Sequence, residues 1–264
     1  MRGENKMSRI SKAFENQKAF IAFVTGGDPD LETTEALIPQ MAAAGADLIE
    51  IGIPFSDPIA EGVVIQAADE RALKAGTTTD KLFDMVKRVR QKVDVPLVFM
   101  TYINPVYTYG TEKFTKKCAE CGIDGMIIPD VPFEEREEVS GACEAAGIEL
   151  ISMIAPTSHD RINMIAKQAK GFLYCVSSLG VTGVRSRITT NIKEMVDQVK
   201  QVSDIPCAIG FGIATPEQAH EMAAVSDGAI VGSAIVKIIA RYGKDCIEPV
   251  CSYIKDMKAA VAAA

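Results

Sequence analysis

The chain contains only two histidines, His159 and His220, and neither lies near its cysteine pair. A tetrahedral zinc site takes four ligands from Cys, His or carboxylate, so metal chemistry has little to build on, and no metal is expected. The seven cysteines are an odd number with no paired framework. Cys118 and Cys121 form a CxxC, but within KFTKKCAECG the pair reads as the end of a helix packing inward rather than as a redox or metal motif. Reduced thiols suit a cytoplasmic protein. No run approaches the roughly 20 apolar residues of a membrane span. The N-terminal MRGENKMSRISKAFENQ is polar and lacks the apolar core of a secretory signal. The net charge of −7 counts against nucleic-acid binding. An anionic ligand would have to be held by local dipoles.

What is present is a large supply of core. Hydrophobic residues make up 48% of 264 residues and charged residues 24%, enough for a sizeable interior without staples. Eight short apolar runs occur at 19–25, 47–53, 96–102, 124–130, 148–154, 171–177, 206–212 and 227–233. Each is bounded by Gly, Pro or Asp, as buried parallel strands are. Amphipathic segments separate them. DLETTEALIPQMAAAG starts on a capping Asp and ends on Gly, and TTTDKLFDMVKRVRQKV places Leu82, Met85, Val86 and Val89 on one face. Eight strands alternating with helices in about 250 residues is the size of a (β/α)8 TIM barrel. The expectation is one such domain over 1–264, with a polar N-terminal segment at 1–18. The competing fold is an open doubly wound sheet, but VTGGDPD stands where a GxGxxG would follow the first strand.

Barrel active sites lie at the C-terminal ends of the strands. None of the eight runs contains lysine, which a Schiff-base aldolase needs, and none contains histidine. The polar candidates that remain are Glu50, Asp130, Tyr102 and Tyr174. Alternation along DLIEIGI sets Leu48, Glu50 and Gly52 on one face and Ile49, Ile51 and Ile53 on the other. The isoleucines suit the layer between sheet and helices, so Glu50 points into the barrel. There it either pairs with a buried cation, which no strand offers, or serves as a proton donor and acceptor with a raised pKa. At the other end of the chain, Gly210 and Gly212 close the seventh run, and Gly232 and Ser233 stand where the eighth meets a helix. Glycines and helix N-termini on the last two strands suit a phosphate, although tight turns alone would also call for glycine. The loop SSLGVTGVRSR (177–187) is a candidate lid.

Together these segments resemble the tryptophan synthase alpha subunit family, from about Ser8 to Lys258. The resemblance is carried by AFVTGGDPD, LIEIGIPFSDPIAEG, ALKAGTT, PDVPFEE, GVTG, GFGIATPEQ and GSAIVKII. It implies a (β/α)8 barrel that cleaves indole-3-glycerol phosphate to indole and glyceraldehyde 3-phosphate. It also implies a cytoplasmic alpha2beta2 heterotetramer in which only the beta subunit carries pyridoxal phosphate, the alpha subunit needing no cofactor. By the same resemblance Glu50 is the catalytic general acid–base and Glu61 the second carboxylate, facing the indole N–H. Phe23 and Tyr102 line the indole pocket, and Tyr174 stands beside Glu50. Thr182 belongs to the lid, and Gly183, Gly212, Gly232 and Ser233 cradle the phosphate. Asp57 and Asp130 face the beta subunit.

The sequence departs from the commonest family pattern at AEGV (60–63), where ADGP is usual. Glu61 is one methylene longer than the usual aspartate, and Val63 removes a stiffening proline. With Glu61 ionised and Glu50 buried, the two acids are expected to have pKa values pushed apart. A free-standing indole-glycerol-phosphate lyase, or a weakened barrel that mainly activates the beta subunit, are the alternative readings. A metal-dependent sugar-phosphate epimerase would need His and Asp ligands at strand ends, which the runs lack.

Overall fold

The computed structural model describes residues 8–158, 160–176, 185–210 and 212–264. Nine parallel strands form one sheet: β1 Ala19–Thr25, β2 Leu48–Gly52, β3 Leu97–Met100, β4 Gly125–Ile127, β5 Glu149–Leu150, β6 Ser152–Ile154, β7 Leu173–Val176, β8 Cys207–Gly210 and β9 Gly228–Val231. Their order is β5-β4-β3-β2-β1-β9-β8-β7-β6. The two edge strands are halves of one predicted run, 148–154, parted only at Ile151. β5 pairs with β4, and β6 pairs with β7. The Ile151 N–H still donates to the Met126 carbonyl at 2.8 Å. A single stretch of chain therefore bonds to one side of the sheet and then to the other, which closes the barrel.

The alternation read from the sequence holds. Ile49, Ile51 and Ile53 join Phe20, Ala22 and Val24 in the layer under the helices. Ile21, Leu48, Val98, Ile127, Phe172 and Ala208 fill the barrel interior. The helices meet that layer as their patterns predict. Leu82, Met85, Val86 and Val89 of helix Thr79–Arg90 are fully buried. Helix Leu31–Ala44 starts at Asp30, whose carboxylate accepts from the Thr33 N–H at 2.8 Å, and ends at left-handed Gly45. Cys118 and Cys121 are buried at the end of helix Thr111–Cys121, and burial pushes both thiols up, Cys121 to about 11. No metal-binding cluster occurs among the described residues, and no described helix is long and apolar enough to cross a membrane.

The N-terminal ends of the strands are fastened by one device used three times. Asp47, before β2, accepts from the Phe20 N–H and from Lys258. Asp124, before β4, accepts from the Leu97 N–H and from Arg90. Asp227, before β9, accepts from the Cys207 N–H and pairs with Lys200. Each aspartate ties the start of its own strand to that of a neighbour, and a cation neutralises it. Arg9 adds a second cation on Asp124.

The segment read as merely polar at the N-terminus proves partly structural. Helix Arg9–Ala13 buries Ile10 and Ala13 against the interior, and the Phe14 ring lies 5.5 Å from that of Phe172. Its apolar stripe is too short to stand out in sequence, and the barrel floor supplies the partner surface. Replacing Ile10 with Ala leaves a void in that floor and is expected to cost about 2–4 kcal/mol. Urea unfolding would read this as a lower midpoint at unchanged slope. A shift no larger than that of a surface substitution would show the floor to be loosely packed.

Candidate active site

Glu50 is the middle residue of β2. Its backbone lies level with Phe23 of β1 and Val98 of β3. The side chain is fully buried, and neither carboxylate oxygen has a hydrogen-bond partner among the described residues. No cation among the described residues approaches it, so the ion-pair alternative finds no support there. Burial alone acts on the group and pushes its pKa up to about 8. An unpaired carboxyl inside a barrel is costly to ionise, and it therefore holds its proton at neutral pH.

The aromatic residues around Glu50 need glycines. The Phe23 ring crosses Gly52, where a Cβ would come within 2.7 Å of it, and also contacts the site of Gly232. Tyr174 reaches over Gly210, where a Cβ would lie 2.4 Å from the phenolic oxygen. Burial pushes the Tyr174 phenol well above its ordinary value, and the nearby Glu50 charge adds to this. Gly210, read from sequence as part of an anion cradle, thus serves first to seat Tyr174. Gly212 differs: it has φ +76° and open space where a side chain would stand. Gly232 precedes helix Ser233–Tyr242, whose first turn has no side-chain cap. Its free N–H groups face the same end of the barrel as Gly212, a fitting place for an anion.

The loop from β2 to helix Val63–Lys74 carries Glu61 and is tethered at three points. Tyr102, predicted within the third strand, instead lies two residues beyond β3 as the N-cap of helix Ile103–Tyr109. Its hydroxyl accepts from the Ala60 N–H at 2.9 Å, and its ring lies 5.5 Å from that of Phe55. Burial pushes the Tyr102 phenol up to about 12. Gln66 donates its side-chain amide to the Glu61 carbonyl at 2.8 Å. The Glu61 carboxyl itself is half-buried and lies within hydrogen-bonding reach of the Asp69 carboxyl. The helix that bears Asp69 is clamped to the loop after β1, because Arg71 binds fully buried Asp28 through two hydrogen bonds of 2.8 Å each.

This arrangement corrects one expectation. Glu61 is half-buried, and burial raises its pKa as it does that of Glu50, so the two acids, expected to be pushed apart, are shifted in the same direction. Burial and the adjacent Glu61 charge push Asp69 up to about 8. Asp69, Asp28, Arg71 and Gly52 were not singled out from sequence. Only Gly52, a glycine inside a strand, carried a readable signal.

The remaining predicted residues are placed as follows. Asp57 is exposed and accepts from the Ser56 hydroxyl. Asp130 accepts from the Ile103 N–H through both oxygens, at 3.0 and 3.2 Å, and so caps the helix after β3. Ser233 is exposed at its helix start. Val63 is the first residue of its helix and 79% exposed, as is Ile59 on the other side of Glu61. Proline would suit that first helical position, but valine there breaks no hydrogen bond. Thr182 and Gly183 lie outside the described residues, and the last three residues of the predicted lid belong to helix Arg185–Lys200.

Comparison with known proteins agrees with this geometry. The family model described as tryptophan synthase alpha chain matches residues 10–262. A tryptophan synthase alpha chain of Lacticaseibacillus casei is 46% identical over 255 residues, covering 97% of this chain and 96% of the relative. One of Lactiplantibacillus plantarum is 47% identical over 251 residues, covering 95% and 93%. Among solved structures, tryptophan synthase subunit alpha from Legionella pneumophila superposes with a TM-score of 0.89 at 36% identity, covering 98% of this chain and all of that one. With matches of that extent by sequence and by fold, the chain belongs to the tryptophan synthase alpha chain family.

Proposed function

We propose that this chain cleaves indole-3-glycerol phosphate to indole and glyceraldehyde 3-phosphate, with Glu50 as general acid–base and Glu61 as the carboxylate that receives the indole N–H. The observation that carries this reading is Glu50 itself, buried, without a partner among the described residues and with its pKa pushed up to about 8. Retro-aldol cleavage requires indole C3 to gain a proton and the glycerol hydroxyl next to the breaking bond to lose one. A carboxyl that begins protonated gives its proton to C3. The carboxylate so formed then takes the hydroxyl proton as the carbon–carbon bond breaks, and the group ends as it began. When C3 is protonated the ring gains positive charge at its N–H, and a carboxylate at that end stabilises it.

Phe23 and Tyr102 flank the space for the ring, and Tyr174 borders Glu50. Gly212, Gly232 and Ser233 offer the phosphate backbone amides rather than lysines, as the acidic net charge requires. Thr182 and Gly183 are assigned to a lid over the bound substrate. No cofactor is assigned to this chain. Its partner is a tryptophan synthase beta subunit, in an alpha2beta2 assembly in the cytoplasm, with pyridoxal phosphate in the beta subunit. Ile59 and Val63, large apolar side chains exposed on either side of Glu61, support docking at this face, with Asp57 and the loop of Asp130 beside them.

Two outcomes are expected. Indole release from indole-3-glycerol phosphate should occur, rise when beta subunit is added, and fall about 10²–10⁴-fold in Glu50→Gln. Release that ignores beta subunit would favour a free-standing lyase, and no release in any mixture would overturn the catalytic reading.

The second outcome concerns stability. In the unfolded chain Glu50 ionises near its ordinary value of 4.5, but in the folded chain only near 8. Between those pH values the folded state binds more protons, so stability falls as pH rises through that window. Glu50→Gln abolishes this penalty. The variant should be more stable than wild type by roughly 2–4 kcal/mol at pH 8 and by little at pH 4. Urea unfolding at both pH values would reveal the gain, and an equal stability at pH 8 would show that Glu50 is paired in solution.

A further inference from the structure

We propose that Asp69 is a positioning residue, a neutral carboxyl whose hydroxyl donates a hydrogen bond to the Glu61 carboxylate and thereby aims it into the site. This rests on the role assigned to Glu61 above. Asp69 lies on the second turn of helix Val63–Lys74 and is turned toward the barrel mouth, 4% exposed, between fully buried Ala68 and the Thr25 end of β1. Glu61 Oε2 and Asp69 Oδ2 are both buried, and neither atom has a hydrogen-bond partner among the described residues. Two buried carboxyl groups in mutual reach repel each other when both are ionised, and sharing one proton removes that repulsion.

No cation among the described residues relieves the pair. Arg71, on the same helix, has committed two guanidinium nitrogens to Asp28. The other polar groups near the pair come from several of the described elements. Tyr102, after β3, has its hydroxyl engaged by the Ala60 N–H, and Gln66 has its amide on the Glu61 carbonyl. The Thr25 hydroxyl and the Phe55 backbone N–H lie close to Asp69 and favour its charged form, but burial and Glu61 outweigh them. Glu50, inside the barrel on β2, is a further acid rather than a counter-charge.

Burial decides which partner keeps the proton. Charge is disfavoured most at the more buried site, and Asp69 is the more buried of the two. The hydrogen bond therefore runs from Asp69 to Glu61, and half-buried Glu61 keeps the charge that an indole N–H would meet. The raised pKa values of both groups agree with one proton held between them.

The test uses the full chain with beta subunit. Asp69→Ala should lower kcat about 10- to 100-fold, the loss of one hydrogen bond to a charged group, with KM changed little. Asp69→Asn keeps a donor and should restore most of the rate. In a Glu61→Gln background Asp69→Ala should cost nothing further, because it acts through Glu61. Independent, multiplying effects, or an Asp69→Asn variant as slow as Asp69→Ala, would overturn the proposal. A second readout needs no substrate. At neutral pH the infrared band of a protonated carboxyl should lose intensity in Asp69→Asn, separately from the loss caused by Glu50→Gln. If Asp69→Asn removes no such band, Asp69 is ionised and the proposal fails, whether or not the chain cleaves indole-3-glycerol phosphate. If the band is lost but wild type releases no indole, the assigned reaction fails and the shared proton stands.

Discussion

The side chains of β2 have two faces and one of them is inside a closed barrel. Ile49 and Ile51 occupy the outer face under the helices, which leaves Leu48 and Glu50 to point inward. Closure makes that direction binding. Because the fifth strand pairs with β4 through its first half and with β7 through its second, the interior has no open edge through which Glu50 could reach water. Its raised pKa follows from topology before any neighbour is considered. A one-residue slip in β2 would place Glu50 among the isoleucines and helices instead, so the register and the chemistry are fixed together.

The two ends of the barrel treat their acids in opposite ways. At the floor, Asp47, Asp124 and Asp227 each meet a lysine or arginine and a backbone N–H from the adjacent strand. At the mouth, Glu50, Glu61 and Asp69 are withheld from any cation among the described residues, and buried oxygens on all three lack partners. Paired carboxylates hold strands in place. Unpaired ones cost stability and gain the capacity to move protons near neutral pH. The ion pair of Arg71 with buried Asp28 fastens the helix behind Glu61 without neutralising it.

Much of this was legible in the sequence, and the limits have physical causes. The eight apolar runs and the inward face of β2 depend on local alternation, which sequence displays directly. The start of helix Leu31–Ala44 at Asp30 and its end at Gly45 depend on capping, which is also local. Strand ends were harder. Tyr102 reads as part of an apolar run, but the Ala60 N–H on its hydroxyl and a new helix at Ile103 end the strand at Met100. Ile10 was invisible because its partners are the floor residues of strands far along the chain. Asp69 sits among alternating charged and small residues that suit a solvated helix face, and only the packing of that helix over the mouth reveals it as buried.

The glycines illustrate the same boundary at finer scale. From sequence, Gly210, Gly212 and Gly232 form a single cradle, because proximity to the last two strand ends is all that spacing conveys. In three dimensions they divide. Gly210 and Gly52 give up their side chains to seat Tyr174 and Phe23, whereas Gly212 leaves open space and Gly232 opens an uncapped helix. Substituting either seating glycine would act on the aromatic ring first and on the Glu50 pocket through it, since no rotamer of a buried ring can absorb a carbon atom less than 3 Å away. The shape of the pocket is thus set by where the backbone lacks a Cβ as much as by the side chains that line it.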